Sequence, residues 1–404
     1  MQTFPQGFLW GASVAAHQVE GGNTGSDWWD WEHDATSGCV EPSGDTIDQR
    51  HRYPEDFDLI ADLGLNAYRL SVEWARIEPA SGEFSRAEIE HYRRVLGTLQ
   101  DKGLTAFVTL HHFTNPRWFA QQGSWESPEA LDRFSRYAVR VTRDLGDLMP
   151  YVGTINEPQM VALGGWVIGQ FPPGKKDRDA AVQVSLTLAQ AHRRGVAAVR
   201  ASGHGSQVGP CLQLPPISAL RPGDEQDEAT AAGLRWLVRD VHVDDLKAGG
   251  DVGDFVGLQY YTRGLVDASL EMPLVRADPE QVETTQMGWE IHPESFATAL
   301  QDAASAGLPV LVTENGIATA DDDQRRRYLL SHLEVLQQQC DAGVDIRAYF
   351  HWSAFDNFEW AHGYAPTFGL IGIDRDHDLR RVVKDTARRY GRVAQTGSLD
   401  PLRA

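Results

Sequence analysis

The run Gly307-Leu308-Pro309-Val310-Leu311-Val312-Thr313-Glu314-Asn315-Gly316 decides the fold. A helical pattern leads into it, a glycine closes that pattern, and a short apolar run follows and ends in a glutamate. Glycine at a helix end adopts the left-handed conformation without a Cβ penalty, so the chain can turn straight into a strand. The joint recurs along the chain. Gly64 precedes Leu65-Asn66-Ala67-Tyr68-Arg69-Leu70, Gly103 precedes Leu104-Thr105-Ala106-Phe107-Val108-Thr109-Leu110, and Gly343 precedes Val344-Asp345-Ile346-Arg347-Ala348-Tyr349-Phe350. Gly146, Gly203 and Gly250 stand in the same relation to later runs. With a first strand near Phe8-Leu9-Trp10-Gly11-Ala12, the seven joints make eight strands.

Between them, residues near 86–101, 128–145, 179–200, 225–247, 294–305, 322–340 and 380–393 carry helical apolar spacing. Ser127-Pro128 and His292-Pro293 read as helix starts with proline in the first turn. Alternating strands and helices imply a parallel sheet, and eight units imply a closed (β/α)8 TIM barrel of the α/β class. No linker or composition break divides the 404 residues, so 1–404 reads as one barrel. The long loops near 20–50, 111–125, 159–178, 262–292 and 352–378 mostly follow strands, which puts them on the face where barrel active sites form.

Composition narrows the function. Hydrophobic residues make up 42% of the chain, enough for a large core, yet no stretch approaches the ~18 consecutive apolar residues of a membrane span. A net charge of -20 argues against nucleic acid and anionic membrane surfaces as partners. Met1-Gln2-Thr3-Phe4-Pro5 lacks a basic segment followed by an apolar core. Cys39, Cys211 and Cys340 are few, odd in number and not spaced as metal ligands. A cytoplasmic protein that needs neither metal nor cofactor is expected.

The strand ends are chemically loaded. Gln18 and Glu20 follow strand one; Arg69, Ser71, Glu73 and Trp74 follow strand two; His111-His112 close strand three. Asn156-Glu157 close strand four, Gln259-Tyr260-Tyr261 strand six, and Glu314 strand seven. His351-Trp352 close strand eight and lead to Asp356-Asn357-Phe358-Glu359-Trp360. Strand five, near Gln207 to Leu214, ends without such a group. Paired carboxylates suffice to cut a glycosidic bond: one, protonated, gives a proton to the leaving oxygen, and the other, ionised, attacks the anomeric carbon. Close like charges raise one pKa. A nearby Arg and Tyr would keep the nucleophile ionised and aimed, and an Asn beside the acid could hydrogen-bond the sugar 2-hydroxyl.

These motifs together resemble glycoside hydrolase family 1, the retaining β-glucosidase and β-galactosidase family, nearly end to end. The likeness runs through Phe8-Leu9-Trp10-Gly11-Ala12 to Gln18-Val19-Glu20-Gly21, Tyr68 to Ile77, Leu110-His111-His112-Phe113 with Pro116 and Trp118, Thr154 to Pro158, Thr313 to Gly316, and Tyr349 to Tyr364. The resemblance implies Glu157 as acid/base and Glu314 as nucleophile, with Arg69 and Tyr261 contacting the nucleophile. Gln18, His112, Asn156, Trp352, Glu359 and Trp360 would line the site for the non-reducing-end sugar, and Phe368 would wall it. The implied substrate is a small β-glycoside or short oligosaccharide, with glucosyl, galactosyl and fucosyl groups all open; oligomeric state is likewise open.

Three departures stand out. Gln259 replaces the family's usual Asn two residues before the catalytic Tyr, and Thr367 replaces its usual Arg before Phe-Gly-Leu. The connection between Leu214 and Asp254 is short for the family, which is expected to open the leaving-group half of the cleft.

Plainer readings stand beside these. Glu157 could cap a helix or sit in a structural salt bridge, and Gln18 could be an ordinary turn residue. Of His111 and His112, neighbours that point opposite ways on a strand, one reads as a sugar contact and the other as packing. Trp28, Trp29 and Trp31 read as core or loop packing, and Arg325-Arg326-Arg327 as the solvated face of a helix. A sugar-binding barrel without activity, or a transglycosidase using the same intermediate, are the alternatives; the first would be expected to have lost Glu157 or Glu314.

Overall fold

The computed structural model describes residues 4–404, so Met1-Gln2-Thr3 lie outside the described residues. Twelve strands are formed among them: β1 Leu9–Ser13, β2 Ala67–Ser71, β3 Thr105–His111, β4 Tyr151–Asn156, β5 Gln207–Gln213, β6 Ile217–Ala219, β7 Val256–Tyr260, β8 Gly264–Val266, β9 Val310–Asn315, β10 Ile346–Trp352, β11 Ile371–Asp374 and β12 Arg380–Val383. Eight of them close a parallel barrel in the order β1-β2-β3-β4-β5-β7-β9-β10, with β10 pairing back onto β1.

Six of the seven joint glycines have φ between +72° and +92°, where a Cβ would be strained. Gly146 differs: its φ is -60°, and it continues the helix Ala130–Leu145 into a 3-10 turn, Gly146–Leu148. What excludes a side chain there is crowding, since a Cβ would lie 2.5 Å from the ring of His204.

The helices fall close to the expected spans, with three corrections. The first begins at Ala130, so Pro128 precedes it rather than occupying its first turn, whereas Pro293 does take the first position of Pro293–Ala304. The second is 225–247, which is two helices, Glu225–Arg235 and Val241–Lys247, joined by a π-turn at Trp236–Asp240. The third is 380–393: its first four residues are β12, antiparallel to β11, and the helix starts only at Asp385. Val382-Val383 are β-branched and favour the strand, and Arg381 is held there by Asp56 at 2.7 Å.

The barrel interior is layered. Its floor is apolar: Leu9, Ala67, Phe107, Tyr151, Cys211, Phe255, Leu311, Ala348 and Phe350 pack together. Arg69 lies above it, its guanidinium 5.7 Å from the Phe107 ring centre. The outward faces of the strands join the main core under the helices, as expected of parallel strands covered on both sides.

The two glutamate strands share an irregularity. β4 has one extra residue against β5, because Gly153 pairs Gly209 and Asn156 pairs Cys211. β9 has one extra residue against both neighbours: Val312 pairs Leu258 and Glu314 pairs Gln259 on one side, while Val312 pairs Tyr349 and Asn315 pairs His351 on the other. Bulges of this kind re-aim the side chains beside them.

Candidate active site

Glu157 and Glu314 leave their strands differently. Glu157 has φ 43° and ψ 59°, a left-handed conformation that costs a side-chain-bearing residue about 1–3 kcal/mol. Its backbone N–H is anchored to the Cys211 carbonyl at 2.7 Å. It precedes the helix Pro158–Leu163, yet its carboxyl makes no capping bond, and it has no salt bridge among the described residues. Neither structural reading of this glutamate therefore holds. Glu314 lies within β9, steadied by Asn315, whose Nδ2 donates to the Tyr260 carbonyl at 2.7 Å and whose Oδ1 accepts from Tyr349 at 2.8 Å.

The Glu314 carboxylate is fully engaged. Arg69 Nη1 donates to Oε1 in a buried ion pair, Gln259 Nε2 donates to Oε1 at 2.7 Å, and Tyr261 Oη donates to Oε2 at 2.5 Å. Arg69 Nη2 also donates to Asn156 Oδ1 at 2.6 Å, tying the residue before Glu157 into the same network.

Burial raises both carboxyls above the ordinary carboxylate range, but by different routes. For Glu157, burial is compounded by the charge of Glu314, and its pKa stands well above 4.5. For Glu314, Arg69 and the Tyr261 hydroxyl oppose burial. Two titratable groups pushed apart in this way can act as acid and nucleophile.

The other expected site residues gather around this pair. Gln18 is fully buried; its Nε2 donates to the Phe358 carbonyl at 2.8 Å and to Glu359 Oε2 at 3.3 Å, and its Oε1 has no partner among the described residues. It is not an ordinary turn residue. Burial and the charge of Glu314 push Glu359 up to about 8. His112 stacks between Trp352 and Trp360, with ring centres 6.0 and 6.2 Å away, and burial next to Arg69 keeps it neutral. Its Nδ1 has no hydrogen-bond partner among the described residues. His111 instead packs edge-on against Trp125 and bonds Asn115 at 3.0 Å, which makes it the packing residue of the two. Trp360, at φ 50°, also stacks on His17 and packs on Trp28, while Phe368 packs against Tyr261 and Trp289. Trp28 is buried and Trp31 bonds the Gln170 carbonyl, which makes both of them packing residues.

Three features were not anticipated. Gln259 bonds Glu314 directly, a contact that depends on the β9 bulge. Trp289, in the 262–292 loop, packs on Tyr261 with ring centres 5.5 Å apart; an aromatic in a long post-strand loop was the available signal. Arg325 is the third, and it corrects the reading of 325–327 as a solvated face. It is 1% exposed and donates to the carbonyls of Ile317, Thr319, Thr367 and Phe368, clamping the segment after β9 to the one that carries Phe368. Arg327 does face solvent, paired with Asp323 and Glu283. Thr367, in place of Arg, accepts at its carbonyl from Arg325 at 3.0 Å and donates from its backbone N–H to Gln286 Oε1 at 2.9 Å.

The short connection after β5 is structured. β6 pairs parallel with β8, and Arg221 joins Asp227 and Asp267 across the two segments. Leu220, Leu270, Met272 and Leu274 are exposed on this ribbon.

The model of glycosyl hydrolase family 1 matches residues 1–249 and 238–398. The chain belongs to that family. This glycosyl hydrolase is 31% identical to beta-glucosidase A of Thermotoga maritima over 99% of both chains. It is 30% identical to a bifunctional beta-D-glucosidase/beta-D-fucosidase of Bifidobacterium breve, over 96% of this chain and 97% of that one. Among solved structures it matches a Thermotoga maritima beta-glucosidase in complex with glucoimidazole, with a TM-score of 0.90 and 29% identity, over 99% of this chain and 100% of that one.

Proposed function

We propose that this family 1 glycosyl hydrolase is a retaining, exo-acting β-glycosidase. Its substrates are small β-glycosides or short oligosaccharides ending in a β-D-glucosyl, galactosyl or fucosyl residue. One observation carries the assignment of roles: Glu314 accepts from Arg69, Gln259 and Tyr261, whereas Glu157 accepts from none of them. A carboxylate held by three donors stays ionised and aimed, as a nucleophile must. A buried carboxyl without donors beside another's charge keeps its proton, as a general acid must.

In the first step Glu157 gives its proton to the leaving oxygen as Glu314 attacks the anomeric carbon and the glycosidic bond breaks. In the second, Glu157 takes a proton from water, the water oxygen bonds the anomeric carbon, and the bond to Glu314 breaks. Two inversions return the original configuration. The relatives named beta-glucosidase, the fucosidase activity in one name and the glucoimidazole complex of another support the sugar class. The test is proton NMR of early product from an aryl β-glucoside. The β-anomer is expected first; a first-formed α-anomer would overturn the retaining mechanism.

A further inference from the structure

Trp360 is gripped at its edges and backed on its face. Trp28, Phe113 and Phe171 meet its ring at 51°, 61° and 37°. Two rings lie near-parallel to it: His112, 6.2 Å away at 17°, and His17, 5.5 Å away at 4°. His112 is an expected sugar contact. His17 is not, and its side chain is wholly enclosed. Apolar contacts are non-directional, so the three tilted rings can slide against Trp360 at little cost. His17 cannot slide, because each of its ring nitrogens is bonded. Nε2 lies 3.2 Å from Glu32 Oε2, and a carboxylate only accepts, so Nε2 carries the hydrogen. Nδ1 then accepts from Asn23 Nδ2 at 3.1 Å. Glu32 is fixed in turn: its side chain is 0% exposed, and its Oε1 accepts from Ser43 Oγ at 2.5 Å.

The residue beside His17 does the matching task. Gln18 holds Glu359 Oε2 and the Phe358 carbonyl. Two consecutive residues of the short helix Ala16–Val19 therefore hold two consecutive residues of the sugar site, Trp360 and Glu359. Glu359 leads into the 3-10 turn Trp360–His362 and donates from its backbone N–H to the Gly363 carbonyl at 2.7 Å, so a shift of Trp360 carries Glu359 with it.

We propose that His17, tethered by Glu32, is a positioning residue that sets where Trp360 and Glu359 stand against the sugar, and that it thereby decides how sharply the site separates sugars differing at carbon 4. The inference rests on the glycosidase reading and adds to it a residue that touches no substrate. Two 4-epimers differ only in the side of the ring their hydroxyl takes. Telling them apart is a difference of affinities, and it survives only while the groups that meet that hydroxyl stay in place.

The test compares an aryl β-glucoside with the aryl β-galactoside of the same leaving group in the wild type, His17→Phe, Glu32→Gln, and His17→Phe combined with Glu32→Met. His17→Phe keeps a ring against Trp360 and removes the tether. It also strands the Glu32 carboxylate, so the double variant, which removes both polar partners, serves if the single one fails to fold. The ratio of kcat/KM values, preferred sugar over its epimer, is expected to move about tenfold toward one in both, the worth of one misplaced hydrogen bond. Glu32→Gln keeps an oxygen for His17 Nε2 and should hold the ratio within about threefold of the wild type. A His17→Phe enzyme that keeps the wild-type ratio, whether or not both sugars slow alike, would overturn the proposal and leave His17 a packing residue. So would a ratio lost as deeply in Glu32→Gln, or a wild type that does not distinguish the two sugars. A wild type that hydrolyses neither sugar would sink the glycosidase reading itself, and this inference with it.

Discussion

Arg69 and Glu314 meet in an enclosed ion pair, with 0% and 4% of their side chains exposed, directly above the apolar floor of the barrel. Removing one partner of such a pair strands the other's charge, at a cost of about 3–5 kcal/mol. Arg69→Met is therefore expected to unfold at markedly lower denaturant. Arg69→Lys keeps the charge but loses the fork that reaches both Glu314 and Asn156. It should fold and lose most of its kcat. Denaturant titration and steady-state kinetics together check both outcomes, and a fully active Arg69→Lys would contradict the role given to the fork.

The two glutamates should fail differently when cut back. Glu314→Gly should abolish turnover, and azide or formate should restore part of it by replacing the lost nucleophile. Glu157→Ala should spare substrates with very good leaving groups far more than poor ones, because only the poor ones need the proton. Equal losses on both substrate types would contradict the assignment.

Glu359 gives a pH prediction with a definite sign. Its folded pKa of about 8 lies above the ordinary 4.5, so the folded protein keeps a proton that the unfolded chain releases between those values. Stability from this group is present below pH 4.5 and falls as pH rises through 8. Glu359→Gln mimics the protonated carboxyl. It should leave Tm unchanged near pH 4 and raise it by a few degrees at pH 9. A Tm difference that stays constant with pH would rule this account out.

A 6-phosphorylated sugar should be a poor substrate. Glu359 is expected to meet the 4- and 6-hydroxyls, and its neighbour in charge is Glu314. Arg375 stacks on Tyr364 at 3.4 Å and donates to the Thr46 carbonyl, so that cation is already engaged. Above pH 8, where Glu359 is ionised, like-charge contact costs several kcal/mol, so kcat/KM on a 6-phospho-β-glucoside should there fall roughly 100-fold below its plain counterpart. The reverse order would refute the expected contact.

Selectivity for the sugar should be strong and selectivity for the leaving group weak. Every expected sugar contact lies outside 214–254, and the ribbon formed there spends Arg221 on Asp227 and Asp267 rather than leaving it to discriminate between leaving groups. Glucosides of matched leaving-group pKa but different bulk should give similar kcat/KM. Steep discrimination against bulky groups would show that the 262–292 loop, with Trp289, closes over that half.

What was legible in the sequence follows from what is local. A helix-closing glycine followed by β-branched residues is a local signal, and it yields the barrel. A glutamate at a strand end is local too, and so Glu157 and Glu314 could be named. Arg325 could not be placed, because three adjacent arginines on a helix look alike until the carbonyls of Thr367 and Phe368 arrive from some forty positions away. Residues 380–383 have apolar spacing compatible with a helix, and only their pairing with β11 makes them a strand. The bond from Gln259 to Glu314 needs the register of a second strand, which no window on the first contains.

The bulges before the two glutamates also bear on how this chain can change over time. Substitutions along β9 alter chemistry gradually, but losing one residue between Val312 and Glu314 would restore regular pairing and turn the glutamate to the opposite face of the sheet. The same holds for β4 between Gly153 and Asn156. In these two strands the number of residues constrains the site as strictly as their identity does.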